Sequence, residues 1–190
     1  MKLLEERILK DGRIGAGNVL KVDRFLNHQI DAPFLYQLAE EFYRLYKDEG
    51  INKILTIEAS GIGIAALTAL KFDCPLVFAK KTVTNNIFAD VYTSQVYSYT
   101  HERTYNIVVS KEFLNEGDRI LVIDDFLAKG SALRALLELI KKSGAECVGA
   151  GIAIEKAFQP GGKELREEGL RIESLARISS MSEEEGIAFC

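Results

Sequence analysis

Two adjacent carboxylates and a glycine-centred turn lie together in the segment ILVIDDFLAKGSA, residues 120–132. The aliphatic run at 120–123 is typical of a strand buried on both faces, which we expect to end at Asp124 and Asp125. After the turn, leucine and isoleucine recur at helical spacing until Gly144. The turn therefore joins the carboxyl end of a strand to the amino end of a helix, where open α/β sheets bind ligands.

The turn has the features of an anion site. Gly130 permits a tight backbone turn, while Lys129, Ser131 and the first helical N–H groups can donate hydrogen bonds to a phosphate. Carboxylates beside a phosphate repel it, so Asp124 and Asp125 need a different partner, either a metal ion or hydroxyl groups. A ribose 5-phosphate offers a phosphate to the loop and two hydroxyls to the acids. The alternative is an ordinary βα turn whose acids cap the helix and face water.

Composition narrows the class of protein. The chain has 190 residues, 47% of them hydrophobic and 27% charged, which predicts one soluble domain with a large core. A net charge of −4 argues against a protein that coats nucleic acid. The sequence contains neither a membrane span nor a secretion leader, so we expect a cytoplasmic protein. The three cysteines lack the spacing of metal ligands and are interpreted as structural thiols; they are Cys74, Cys147 and Cys190.

Helical and strand patterns alternate along the chain, which predicts a parallel, doubly wound sheet. The segment 90–110 is instead rich in Thr, Tyr and Val with a period of two, and predicts a β-hairpin that could act as a lid. The predicted helices are 2–11, one that follows Pro33, 61–72 and 131–142, and the predicted strands are 53–58, 75–81, 120–124 and 147–154.

A second anion site is predicted at another strand-to-helix turn. The segment GIGIAA, 61–66, matches a dinucleotide fingerprint, but the next strand ends in Lys80 and Lys81 where that fingerprint requires an acid. The P-loop pattern is absent from the sequence. The small residues of EASGIG, 58–63, together with these lysines, suit a pyrophosphate. Phosphoribosyl pyrophosphate would fit a monophosphate site and a pyrophosphate site with acids between them. The alternative interpretation of the two lysines is a strand end exposed to solvent.

The 120–132 segment resembles the signature of the type I phosphoribosyltransferases. Further segments resemble the bacterial branch that uses xanthine, and the resemblance covers nearly the whole chain; they are NVLKVDRFLNHQID (18–31), TIEASGI (56–62), YSYTHERTY (97–105) and IAIEKAFQPGG (152–162). The resemblance implies an α/β type I phosphoribosyltransferase fold, in which helices flank a parallel sheet. It also implies a single domain, 1–190, with a small hood from about 1–35 and 155–190 and a β-hairpin lid at about 82–112.

The resemblance also implies a role for each candidate site residue. Asp124 and Asp125 would be the catalytic pair that holds the ribose hydroxyls. Three residues would contact the purine, namely Leu20, Asn27 and Lys156. The residues that would bind phosphoribosyl pyrophosphate form two loops and one strand end: Ala128, Lys129, Gly130, Ser131 and Ala132 for the 5-phosphate, and Glu58, Ala59, Ser60, Gly61 and Lys81 for the pyrophosphate.

The implied activity is transfer of the phosphoribosyl group to xanthine in a homodimeric enzyme. Mg²⁺ would arrive with phosphoribosyl pyrophosphate and not in a cage of protein ligands. Lys156 can donate to a 6-oxo group, and Ala128 stands where related 6-oxopurine enzymes have an acid, which favours the most acidic common oxopurine, xanthine. The alternatives are a hypoxanthine or guanine enzyme, or a phosphoribosyl-pyrophosphate-sensing regulator of purine genes. No nucleic-acid or membrane partner is expected.

Overall fold

The computed structural model describes residues 1–15, 17–81, 90–98 and 103–190. Its helices are α1 (Lys2–Asp11), α2 (Ala32–Tyr46), α3 (Gly61–Phe72), α4 (Ser131–Ser143) and α5 (Gly161–Glu167), with a π-helical turn at Asp23–Asn27 and 3-10 turns at Lys47–Glu49 and Lys111–Phe113. Its strands are β1 (Arg13–Gly15), β2 (Val19–Lys21), β3 (Lys53–Ile57), β4 (Leu76–Ala79), β5 (Val91–Ser98), β6 (Arg103–Ser110), β7 (Arg119–Leu127), β8 (Glu146–Lys156), β9 (Ile172–Ser182) and β10 (Gly186–Phe189).

A six-stranded sheet organises the described part of the chain, in the order β10-β9-β8-β7-β3-β4. The neighbours from β9 to β4 pair in parallel, and β10 is antiparallel to β9. The predicted fold class is therefore confirmed. The assignment of 1–35 and 155–190 to a hood stays a prediction, and the structure adds that 172–189 also supply two strands of the sheet.

Helices cover both faces of the sheet, as the alternation predicts. On one face, Leu4 of α1, Phe42 of α2 and Ile64 of α3 belong to the same buried cluster as Leu121 and Ile123 of β7. On the other face, leucines of α4 pack against the remaining alternate positions of β7, which include Ile120 and Val122. Strand β7 is thus buried on both faces, because its two sets of side chains belong to different cores.

The predicted end of the strand at the acids is wrong, whereas the ends of the other predicted strands differ by at most two residues. The strand expected to end at Asp124 continues through both acids to Leu127. The physical reason is that β8 also runs long, so the parallel ladder extends from Arg119 opposite Glu146 to Leu127 opposite Glu155. The acids therefore lie within a rigid ladder and not at the start of a turn.

The predicted hairpin forms in its described part. Strands β5 and β6 pair antiparallel from Val91 opposite Ser110 to Ser98 opposite Arg103. The side chain of Ser94 donates to Glu138 of α4 at 2.5 Å, and Lys142 of α4 donates to the Thr93 carbonyl at 2.7 Å. The hairpin is therefore anchored on α4. Residues 82–89 and 99–102, which belong to the expected lid, lie outside the described residues.

None of the described helices combines the length and apolar character required to cross a membrane.

Close packing over a glycine holds the centre of the sheet against α2. A Cβ built at Gly151 of β8 would lie 2.7 Å from Ile123 Cδ1 and 2.8 Å from two ring atoms of Phe42. We predict that Gly151→Ala lowers the free energy of unfolding by about 1–3 kcal/mol through overpacking. Urea unfolding at an unchanged m-value measures this loss. Ser180→Ala, at an exposed position, is the control. A free energy of unfolding for Gly151→Ala within about 0.5 kcal/mol of that of the unmodified chain would contradict the prediction.

Candidate active site

Chemically active residues meet at one edge of the sheet. Glu58 follows β3, Asp124 and Asp125 lie near the end of β7, and Lys156 ends β8. Parallel strands bring their carboxyl ends to the same edge, and the ladder between β7 and β8 fixes the acids relative to Lys156. The structure thus brings together three of the groups that the sequence predicts from separate segments.

The two aspartates form a buried pair. Each is only 6% exposed. The Asp125 backbone N–H donates to Asp124 Oδ1 at 2.9 Å, and the Asn27 side-chain amide donates to Asp125 Oδ2 at 3.3 Å. Asn27 comes from the π-helical turn, almost a hundred residues away in the chain. The expected purine-binding residue Asn27 therefore lies against the acids expected to bind the ribose.

Ionisation of Asp124 is unfavourable at this position. Burial raises the pKa of Asp124 well above its ordinary value, and the neighbouring Asp125 carboxylate raises that pKa further, whereas the Lys81 ammonium acts in the opposite direction. A site built this way binds groups that donate hydrogen bonds or carry positive charge, because either one stabilises the ionised carboxylate. Sugar hydroxyls and a cationic transition state both meet that requirement.

The turn after β3 is shaped by Glu58 and Gly61. The Glu58 carboxylate accepts from the Lys81 backbone N–H at 2.6 Å, which fixes the end of β4 beside this turn. The Lys81 ammonium lies 5.6 Å from the centre of the Tyr105 ring, on β6. A Cβ at Gly61 would overlap Thr56 Oγ1 and lie 3.0 Å from Asp124 Oδ1. Only glycine thus allows α3 to begin this close to the acids, with Ala59 and Ser60 completing the turn.

A cavity of about 470 Å³ lies at the amino end of α4. Gly130 precedes the helix with φ of +82°, a conformation that favours glycine. The whole predicted phosphate loop contributes to the lining, with further residues from β2, the hairpin and the end of β8: Val19, Val96, Tyr97, Tyr105, Phe126, Leu127, Ala128, Lys129, Gly130, Ser131, Ala132, Leu133, Lys156 and Gln159. The loop and Lys156 therefore face one space.

Lys156 is half-buried, and this burial lowers the pKa of its ammonium group. A desolvated cation at the wall of a cavity is a strong hydrogen-bond donor for a carbonyl oxygen. Leu20, in contrast, is only 5% exposed and belongs to the core, while its neighbour Val19 lines the cavity. A contact between Leu20 and a purine would therefore involve its main chain.

Gly161 is a structural neighbour of the phosphate loop that the sequence prediction missed. Its N–H donates to the Ala128 carbonyl at 3.1 Å, and a Cβ at Gly161 would lie 2.5 Å from both the Ala128 oxygen and the Gly130 nitrogen. The available signal was the QPGG run after β8, since paired glycines before a short helix mark a close backbone approach. Tyr105 and Gln159, which line the cavity, were also missed.

The described residues contain no cluster of three or more His, Cys, Asp or Glu side chains arranged to hold a metal ion. Asp124 and Asp125 nevertheless supply carboxylate oxygens, which Mg²⁺ uses together with substrate phosphates. The three cysteines are free thiols. Burial raises the pKa of the Cys147 thiol to about 11, which keeps it protonated at neutral pH and fits a structural role.

The raised pKa of Asp124 predicts a pH-dependent stability. A carboxyl whose pKa is higher in the folded than in the unfolded state stabilises the fold when protonated, and this contribution is lost as pH rises above about 4 toward the folded pKa. We predict that Asp124→Asn melts at a higher temperature than the unmodified chain at pH 7, because the variant has no carboxyl group to ionise in the buried site. This difference in melting temperature should narrow as pH falls toward 4. Calorimetric scans across this range measure it. The exposed Asp48→Asn is the control, and a pH-independent gap would refute the assignment.

Comparison with known proteins agrees with this geometry. The chain matches the phosphoribosyl transferase domain over residues 23–169. It is 53% identical to the xanthine phosphoribosyltransferase of Lachnoclostridium phytofermentans, over 98% of this chain and 96% of that protein. It is 52% identical to that of Finegoldia magna, over 97% of each.

Solved structures of adenine phosphoribosyltransferases share the fold. The protein from Trypanosoma brucei superimposes with a TM-score of 0.77 at 19% identity, covering 96% of this chain and 83% of that one. The protein from Rhodothermus marinus gives a TM-score of 0.76 at 20% identity, covering 93% and 98%. Domain match, close relatives and site geometry agree: the chain belongs to the phosphoribosyltransferase family, in the group of the xanthine phosphoribosyltransferases.

Proposed function

We propose that the chain transfers the 5-phosphoribosyl group from phosphoribosyl pyrophosphate to xanthine, which gives xanthosine 5′-monophosphate and pyrophosphate. One observation carries the proposal: a phosphate-sized loop and a half-buried lysine line the same cavity, with two buried carboxylates on the strand that leads into the loop. Relatives that are 52–54% identical over nearly their whole length bear the name of this activity.

The sugar phosphate binds at the amino end of α4. Backbone N–H groups of 128–132 and the Ser131 hydroxyl donate to the 5-phosphate, and the helix dipole adds roughly half an elementary charge. This anchors the ribose so that its 2′ and 3′ hydroxyls donate to Asp124 and Asp125. The binding energy of the phosphate orients the reacting carbon, which is remote from the loop.

The reaction breaks the bond between C1 of the ribose and pyrophosphate as the purine nitrogen forms the new bond. The transition state resembles an oxocarbenium ion, as in other glycosyl transfers. The carboxyl groups of Asp124 and Asp125 face the sugar as positive charge develops on it, so they interact more strongly with the transition state than with the ground state.

The departing pyrophosphate lies at the turn after β3. Backbone N–H groups of Ala59, Ser60 and Gly61 and the Lys81 ammonium donate to its oxygens, while the Glu58 N–H already donates to the Ala79 carbonyl at 3.1 Å. Mg²⁺ carried by phosphoribosyl pyrophosphate would neutralise part of the leaving charge, and Asp124 and Asp125 are the carboxylates that could hold it. The Glu58 side chain acts on this turn indirectly, since it already accepts from the Lys81 backbone.

The purine binds at the Lys156 side of the cavity. The Lys156 ammonium donates to the 6-oxo group, whereas the amino group of adenine would face it with another donor. Ala128 provides no acid to accept the ring proton of the base, and xanthine is the common oxopurine that loses this proton most readily. The hairpin contributes Tyr97 and Tyr105 to the same cavity, and its closure as a lid would exclude water from the activated sugar.

The homodimer, the cytoplasmic location and the lid role of 82–112 stay predictions. A sizing column with light scattering tests the first of them.

The experiment that tests the function is a panel assay on the purified protein. Phosphoribosyl pyrophosphate and Mg²⁺ are supplied with xanthine, hypoxanthine, guanine or adenine, and nucleotide formation is measured. We expect the highest kcat/KM with xanthine and loss of turnover in excess chelator. A preference for hypoxanthine or guanine would identify the alternative enzyme, and binding of phosphoribosyl pyrophosphate without turnover of any base would indicate a regulator.

Replacing Lys156 separates purine binding from sugar binding. We predict that Lys156→Ala weakens xanthine binding roughly ten- to a hundredfold, because the 6-oxo acceptor is left unpaired at a cost of about 1–3 kcal/mol. The affinity for phosphoribosyl pyrophosphate should change less than about twofold, since that ligand lies against the 128–132 loop. Titration calorimetry measures both affinities. Lys163→Ala, with a side chain that is 78% exposed, is the control, and equal losses for both ligands would contradict the assignment.

A further inference from the structure

Helix α5 (Gly161–Glu167) touches both ends of the cavity from outside it. None of its residues lines that cavity. Its first residues lie against the phosphate loop, and its second turn reaches the buried side chain that precedes Lys156. Both contacts are made by one helix of seven residues, so a shift of α5 would move both ends of the site.

At the phosphate end, the contact is between backbones. The Gly161 N–H donates to the Ala128 carbonyl at 3.1 Å. A Cβ at Gly161 would lie 2.5 Å from the Gly130 nitrogen, and a Cβ at Gly130 would lie 3.3 Å from the Gly161 Cα. The fully buried Leu165 packs against the same point of the loop, since its Cδ1 would lie 3.2 Å from a Cβ at Gly130. The loop conformation therefore depends on the position of α5.

At the purine end, the contact is an ion pair between a buried carboxylate and a partly exposed arginine. Glu155 is 2% exposed, and Arg166 of α5 donates to its two carboxylate oxygens at 2.8 and 2.7 Å. The Ser174 hydroxyl also donates to this carboxylate, and Arg177 Nε lies 3.4 Å from it. Burial by itself raises the pKa of Glu155, but the hydrogen bonds from Arg166 and Ser174 outweigh it and lower the pKa below its usual value.

The glycine that follows Gly161 makes this ion pair possible. A Cβ at Gly162 would overlap Glu155 Oε1 and lie 2.9 Å from Glu155 Cδ. Successive strand residues point to opposite faces, so the orientation of Glu155 fixes where the Lys156 side chain leaves β8. Loss of Arg166 would leave the buried Glu155 carboxylate without its two strongest hydrogen bonds, so the orientation of Glu155 depends on α5.

We propose that α5 is a two-ended positioning element, in which Gly161 sets the phosphate loop and the Gly162–Arg166–Glu155 contact sets Lys156. The proposal rests on the proposed function, since it concerns the binding of phosphoribosyl pyrophosphate at one end and xanthine at the other. Arg166, Glu155 and the two glycines act through other residues and do not touch the substrates. The helix thus adds a second connection between the two subsites, beside the ladder of β7 and β8.

The adjacent glycines provide the test, because one added methyl group strains each end separately. Steady-state KM values for both substrates, kcat and melting temperatures are measured for Gly161→Ala, Gly162→Ala and Arg166→Lys, with Lys163→Ala on the exposed side of α5 as control. We expect Gly161→Ala to raise the KM for phosphoribosyl pyrophosphate about tenfold or more and the KM for xanthine less than about twofold. Gly162→Ala and Arg166→Lys should show the reverse, since misplacement of a binding group by about 1 Å can cost on the order of a hundredfold.

A merely structural role predicts a different pattern. Loss of stability alone would lower the melting temperature and the active fraction while both KM values stay unchanged. Equal changes in both KM values, or none, would overturn the proposal. If the glycine variants fail to fold, Arg166→Lys decides on the same criterion. Failure of the unmodified protein to use xanthine would refute the proposed function, whereas normal activity with no separation of KM values would refute the positioning role alone.

Discussion

The site depends on the parallel ladder between β7 and β8, which continues past the acids to Leu127 and Glu155. Backbone hydrogen bonds along this ladder hold the strand that carries Asp124 and Asp125 against the strand that ends in Lys156. The ladder also brings the phosphate loop out of the sheet at the level where β8 ends. A strand that ended at the first acid would leave these groups on flexible chain, where their geometry would cost entropy on binding.

The same ladder places two like charges in a poorly solvated position. The Asp125 N–H donates to Asp124 and the Asn27 amide donates to Asp125, but burial and the neighbouring Asp125 carboxylate still raise the pKa of Asp124. A fold selected for stability alone would place neutral residues here. A ligand that supplies hydroxyl donors or positive charge would relieve these unfavourable electrostatics, and under the proposed mechanism the largest gain would occur in the transition state.

Close backbone approach is the other requirement of the site. Gly61 lets α3 begin against Thr56 and Asp124, while Gly161 and Gly162 let α5 rest on the phosphate loop and on Glu155. Replacement of any of these glycines by alanine would bring the new methyl group into overlap with backbone or with a polar side chain. The hydroxyl of Thr56 is buried beneath Gly61 and has no hydrogen-bond partner in the described residues. An unpaired buried hydroxyl lowers the stability of the fold, so close packing at this edge has an energetic cost.

The sequence by itself determined the alternation of strands and helices, the acid pair, the glycine turn and the lysine after an apolar strand, because these follow from local periodicity and residue chemistry. It did not determine that β7 runs through the acids, since a strand's end depends on the length of its partner. Nor did it show that Asn27 reaches Asp125 or that Leu20 turns into the core, because both depend on how the amino-terminal segment folds over the sheet. Only the tertiary structure decided the contacts of Gly161, Gly162 and Arg166, because their partners lie on other elements and local pattern carries no information about which backbone comes within 3 Å of a glycine.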